Sequence, residues 1–246
     1  MRLFDARREG MRLLRLDKFL CESRGVSRET ARQMIRSGRV LVDGTAQKRP
    51  ETKVDPASQA VLLDGEALSW ARQRYYLLHK PLGVVTATED AKEKTVLDLF
   101  PPELRRGLVP AGRLDKDTSG LLLLSTDGDW VHRVISPRHE VEKVYLAETD
   151  GELTAEDAAA LAAGAVLRDG TKCLPAKLEL LGNRRCRVTV TEGKYHLVRR
   201  LLASRGAKVL TLHRERIGSL RLDDTLPPGA FRALTEAEIA AVLINI

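Results

Sequence analysis

The sequence predicts an α+β protein made of a small basic N-terminal module and a larger C-terminal domain. Short apolar runs bounded by Gly, Asp and Pro alternate along the chain with helix-length stretches opened by Ser, Thr or Asp. Positive charge gathers near the N-terminus. Between Arg15 and Arg49 stand nine cations against four acids, more than half of the formal net charge of +7. A polar stretch without periodicity, residues 69 to 74, separates the two parts, and 246 residues suffice for one substantial core plus an accessory module. The expected domains are therefore 11–68 and 75–246.

In the first module, Ser27 is a good N-cap for a helix over 28 to 37, with Gly38 as its stop. At about 100° per residue, Arg28, Arg32 and Arg36 share one arc while Ala31, Met34 and Ile35 share its neighbour. One side can pack and the other can meet phosphates, although charged faces are often only solvated. Arg39 to Val42 then reads as a strand turned by Asp43-Gly44, so the segment runs helix, helix, strand, turn, strand.

Beyond the linker, Tyr75 to Lys80 reads as a strand ended by Pro81, with residues 83 to 86 resuming it. Thr95 to Phe100 reads as a short helix, and Leu121 to Ser125 as a buried strand. Asp127 caps a helix through Ile135, stopped by Pro137. Glu142 to Ala147 alternates like a strand, 153 to 163 is an Ala-rich helix ended by Gly164, and Arg187 to Thr191 is a strand. Glu192 to Leu202 passes from a turn into a helix.

Composition narrows the function. An apolar share of 43% and a charged share of 30% are those of an ordinary globular protein, and a pI near 9.5 favours a polyanionic partner. No window nears the roughly 18 apolar residues that would span a bilayer, and the N-terminus lacks the apolar core of a signal peptide, so a cytoplasmic protein is expected. Cys21, Cys173 and Cys186 are scattered without a Cys-x-x-Cys pair, so neither disulfides nor a metal is expected.

The stretch from Ala111 to Gly120 is the most informative. It sets Asp115, among cations and turn formers, directly before four leucines that must be buried. An Asp held there can be partly desolvated while its loop stays open, a setting for a nucleophile or general base. The same residues also serve as ordinary turn and cap formers. Gly112-Arg113-Leu114-Asp115, with Thr118 and Gly120 to Leu124, resembles the signature of the RNA pseudouridine synthases that modify ribosomal RNA. Arg15 to Leu20, then Val26 to Gly44, resembles the S4 RNA-binding domain over about 13 to 60.

The resemblance implies a larger domain with a mixed, mostly antiparallel sheet flanked by helices, and Asp115 as its essential residue. Lys143-Val144-Tyr145 matches a phrase that supplies an active-site tyrosine, whereas a lone strand Tyr is more often packing. Arg199 corresponds to the cation that pairs with the catalytic Asp, since a guanidinium near a partly buried carboxylate favours its ionised form. Arg199 and Arg200 as plain phosphate binders are the alternative. Leu201 or Leu202 is expected beneath the uracil. His79, where the family commonly has Asn, reads as structural. The family's usual start near Met11 leaves the first ten residues as an extension or a misassigned start.

The phrase Leu212 to Gly218, with Leu226 to Gly229, resembles the branch acting on small-subunit (16S) ribosomal RNA. The implied reaction breaks the N1–C1′ bond of a uridine, turns the base and joins C5 to C1′, with no redox change and no cofactor. Arg113, Arg15, Lys18, Arg28, Arg32, Arg36, Arg39 and Arg200 are the expected RNA contacts. The expected partner is small-subunit RNA, free or in an assembling particle, met by a monomer away from any membrane. A synthase for 23S RNA and a non-catalytic assembly factor are the alternatives.

Overall fold

The computed structural model describes residues 13–24, 26–56, 58–68 and 73–243. The chain divides into two compact units, Met1–Arg72 and Gln73–Ile246. The first ten residues and positions 69–72 of the expected linker lie outside the described residues.

In the first unit, helices Leu16–Arg24 and Arg28–Arg36 pack with a four-stranded antiparallel sheet ordered Thr45–Gln47, Val40–Val42, Val61–Leu63, Glu66–Leu68. Ser27 caps the second helix by accepting from the Thr30 N–H at 3.1 Å. Ala31 and Ile35 on that helix are fully buried, as the periodicity predicts. To the one hairpin that the sequence predicts, the structure adds Val61–Leu68, turned by a second Asp-Gly pair. Asp43-Gly44 and Asp64-Gly65 all take positive φ, the requirement of a two-residue turn matched to strand twist.

The second unit is built on a nine-stranded sheet. Its main path runs Lys177–Gly182, Arg185–Val190, Lys143–Thr149, Val209–Ile217, Ser119–Ser125, Tyr75–Lys80, Phe231–Ala233. The described pairs of strands in it are antiparallel except one: Val209–Ile217 runs parallel to Ser119–Ser125. Ser119–Ser125 is covered on both faces. Leu121 and Leu123 pack with Trp130, Val131 and Val134 of helix Gly128–Ile135, while Leu122 and Leu124 pack with Val96, Leu97 and Phe100. That explains four consecutive buried leucines, where a one-sided strand would alternate. Helices Ala155–Ala162 and Leu197–Ser204 close the sheet's other half through Leu161, Leu201 and Leu202. The expected helix at 95–100 is a short 3₁₀ turn, Val96–Leu99, and residues 83 to 86 contribute only the isolated bridge Val85–Thr95. No described helix is long and apolar enough to cross a membrane.

Two irregularities shape the cleft of this unit. Val144 pairs with Arg216 but Tyr145 with Arg214, so Glu215 is an extra residue, a bulge that shifts the alternation of its strand. Leu212, Arg214 and Ile217 thereby line one wall. The parallel pairing sets Arg214 against Gly120, where an added Cβ would stand 2.3 Å from the Arg214 carbonyl oxygen. Only glycine permits that approach, at a φ of +112°.

Candidate active site

The loop before Ser119–Ser125 is held almost wholly through its backbone. Ala111 N–H donates to Leu123 O at 2.7 Å, and Thr118 N–H closes a turn onto Asp115 O at 3.0 Å. The Thr86 hydroxyl donates to Leu114 O at 2.7 Å and accepts from Leu114 N–H at 3.1 Å. Gly83 N–H donates to Lys116 O at 2.8 Å. Beneath them the Lys80 ammonium donates to Pro81 O, Asp115 O and Thr118 O at 3.0, 3.0 and 2.9 Å. Lys80 is fully buried, and that burial pushes its pKa down to about 8, against the opposing pull of Asp115 and Asp117.

The loop presents the Asp115 side chain, 32% exposed, to a cleft of about 620 Å³. Cavities of that size hold small-molecule groups. Among the described residues the His196 ring stands against the Asp115 side chain, with Nε2 3.4 Å from Oδ1. Lys143 and Tyr145 reach the same cleft from one face of Lys143–Thr149. Burial, with the charge of Arg214 as a lesser cause, lowers the Lys143 pKa to about 8, and its ammonium donates to Thr191 O at 3.3 Å.

Arg214, only 3% exposed, supplies the polar wall. Its Nε donates to Leu121 O at 2.7 Å and its Nη1 to the Tyr145 hydroxyl at 3.2 Å. Nη2 is buried without a partner among the described residues, although an unsatisfied buried guanidinium N–H is costly. A ligand oxygen in the cleft would satisfy it.

Asp115, Tyr145, Arg199 and Arg113 thus come to one cleft. The pairing expected between Arg199 and Asp115 is not the one formed. Arg199 Nη2 binds Asp117 Oδ2 at 2.8 Å and donates to Asp117 O at 3.0 Å, while Nη1 reaches Val209 O at 3.4 Å. Two acceptors of Asp117 and the Val209 carbonyl on the neighbouring strand together hold the guanidinium away from the Asp115 carboxylate. Arg200 lies away from the cleft lining, paired with Asp169 at 2.5 Å. Leu201 and Leu202, expected beneath a base, are buried in the core and are not part of the cleft lining, to which Leu212 and Ile217 belong. His79 bonds the Leu226 carbonyl through Nδ1 at 2.7 Å.

In the first unit, Arg15 donates twice to the buried Asp17, at 3.0 and 2.9 Å, and Arg32 Nε approaches it at 3.4 Å. Lys18 sits 3.7 Å from Glu22, and Arg39 pairs with Asp64. Arg28 and Arg36 are exposed and make no ion pair among the described residues.

Sequence reasoning does not single out Lys80, Lys143, His196 or Arg214. Arg214 stands in the polar run 213–216 of its strand, so nothing local marks it as the buried one.

Residues 74–204 match the model of the RNA pseudouridylate synthase family, and residues 14–59 match that of the S4 domain. The ribosomal small subunit pseudouridine synthase A of Salmonella typhimurium is 45% identical over 233 residues, spanning 93% of this chain and all of that one. The protein of the same name from Vibrio cholerae is 44% identical over 230 residues, 93% of this chain and 99% of its own. A crystal structure of a pseudouridylate synthase superposes with a TM-score of 0.68 at 38% identity, covering 93% of this chain and 99% of that chain. With the sheet, the Asp115 loop and these relatives in agreement, the chain belongs to the RNA pseudouridine synthases that carry an S4 domain ahead of the catalytic one.

Proposed function

We propose that the chain converts one uridine of small-subunit (16S) ribosomal RNA to pseudouridine, as a monomer in the cytoplasm. The observation that carries the chemistry is a part-exposed carboxylate, unpaired with any guanidinium among the described residues, on a backbone-clamped loop facing the Arg214–Tyr145 wall. The names of the relatives support the choice of RNA.

A base must leave its stack to enter such a cleft, at a cost of about a few kcal/mol. Exposed Arg28 and Arg36 hold RNA by its phosphates, and Arg113 at the cleft supports the displaced nucleotide. Asp115 then attacks C1′ or takes the C2′ proton, and the N1–C1′ bond breaks. The free Nη2 of Arg214 donates to a carbonyl oxygen of the detached uracil, holding it while it turns. Bonding of C5 to C1′ and transfer of the C5 proton leave an isomer, so atoms balance with no co-reactant.

Mapping pseudouridine in both ribosomal RNAs, with and without the gene, tests this. Loss of one small-subunit site is expected. Loss of a large-subunit site instead would reassign the substrate, and no loss would make the chain a non-catalytic factor.

A further inference from the structure

The turn entering helix Leu197–Ser204 carries two rings that the proposed chemistry leaves idle. Tyr195 is 73% exposed, and its ring stacks on that of His196 with centroids 3.8 Å apart and planes 19° from parallel. His196 in turn contacts Asp115. The rings form a ladder from solvent to the carboxylate.

The ladder is built rather than incidental. His196 takes a left-handed backbone conformation, φ +48°, which is unfavourable for a residue with a Cβ and persists only when its surroundings impose it. Here they do. Lys194 donates to Lys172 O at 2.6 Å and pairs with Glu192, whose other oxygen accepts from Leu174 N–H at 2.9 Å. Arg200 Nη1 reaches the Tyr195 carbonyl at 3.4 Å, and Arg200 N–H donates to His196 O at 2.9 Å. One face of Tyr195 is therefore covered by His196, and the ring is otherwise open beside a cleft that both residues line.

Drawing a base out of a strand strips its neighbour of a stacking partner, and a pre-fixed aromatic face replaces that partner whatever the base. We propose that the Tyr195–His196 pair is a stacking platform for the nucleobase flanking the extruded uridine. The platform rests on the chain's being a pseudouridine synthase and adds a second nucleotide subsite to it.

The test uses the full chain and RNA oligonucleotides spanning the mapped uridine. Tyr195→Ala, at a surface position that leaves the core intact, should raise KM about tenfold with little change in kcat, as loss of one base–aromatic stack requires. Tyr195→Phe keeps the ring and should restore KM. On RNA made abasic at the flanking position, wild type should fall to the level of Tyr195→Ala, and the substitution should add nothing further. A wild-type KM for Tyr195→Ala, an equal loss in Tyr195→Phe, or a loss that persists with either flank abasic would each overturn the platform. Wild type inactive on every ribosomal RNA would instead remove the functional reading, and the platform with it.

Discussion

Two aspartates set among arginines show what separates a carboxylate that holds a fold from one kept for a ligand. Asp17 is fully buried, and its oxygens are taken by Arg15 and Arg32. The Arg15 hydrogen bonds, more than any other cause, hold its carboxyl below the usual range. Asp115 is treated oppositely. Its carbonyl is clamped by Lys80 and by the Thr118 amide, while among the described residues its side chain is met by the His196 ring. A saturated carboxylate stabilises its surroundings and can do nothing else. One whose main chain is fixed and whose oxygens are unspent is positioned without being consumed.

The largest expected effect breaks the comparison directly. Asp115→Asn should cut pseudouridine formation by about a thousandfold or more while leaving the thermal midpoint and RNA binding unchanged. Asp17→Asn should do the reverse. It should destabilise the N-terminal unit by about 1–2 kcal/mol, a low figure for an ion pair because both arginines are partly exposed, and leave turnover at saturating RNA intact. Denaturant unfolding and single-turnover assays read both variants, and a swapped pattern would mean that the roles have been misassigned.

Next in size is the effect of pH on the clamp. Burial lowers Lys80 from its ordinary 10.5 to about 8, so the native chain gives up this proton before the unfolded one does. A neutral amine has two N–H groups for three carbonyls, and turnover should fall as pH rises from about 8 towards 10. Over that same window the unfolded chain binds more protons, so this group's contribution to stability increases. The stability difference between wild type and Lys80→Met therefore grows in favour of wild type while wild-type turnover declines. A turnover profile flat to pH 10 would show that the loop does not depend on this ammonium.

The smallest effect lies on the RNA-facing surface. Arg28→Ala with Arg36→Ala should lower the salt slope of RNA binding by up to about one unit per lost phosphate contact, and Arg15→Ala should leave the slope unchanged because that residue is committed to Asp17. Titrations at several salt concentrations separate the two. Equal slopes for both variants would erase the distinction between structural and exposed arginines in this unit.

Much of the molecule is legible in one dimension. The Ser27 cap, the Asp43-Gly44 turn, the four-leucine strand and Asp127 at its helix start are local signals, and each formed its element. What stays hidden is set by strand order and phase. Arg214 faces Tyr145 only because Val209–Ile217 lies beside Lys143–Thr149, and Ile217 shares its cleft only because Glu215 bulges out. Neither fact has a local signature. The partner of Arg199 escapes sequence reasoning for a related reason: Asp115 and Asp117 sit on two limbs of one turn, and spacing does not say which limb a distant helix will meet.

The parallel pairing of Val209–Ile217 with Ser119–Ser125 has a consequence for biosynthesis. Ser119 Oγ bonds His213 Nδ1 at 2.9 Å across 94 residues of sequence. During translation the Asp115 loop emerges long before the segment bearing Arg214, so a nascent polypeptide exposes the carboxylate without the wall that would grip a base. On the proposed chemistry the site is complete only when that strand lies beside Gly120, so a chain that ends before it is expected to be idle towards RNA.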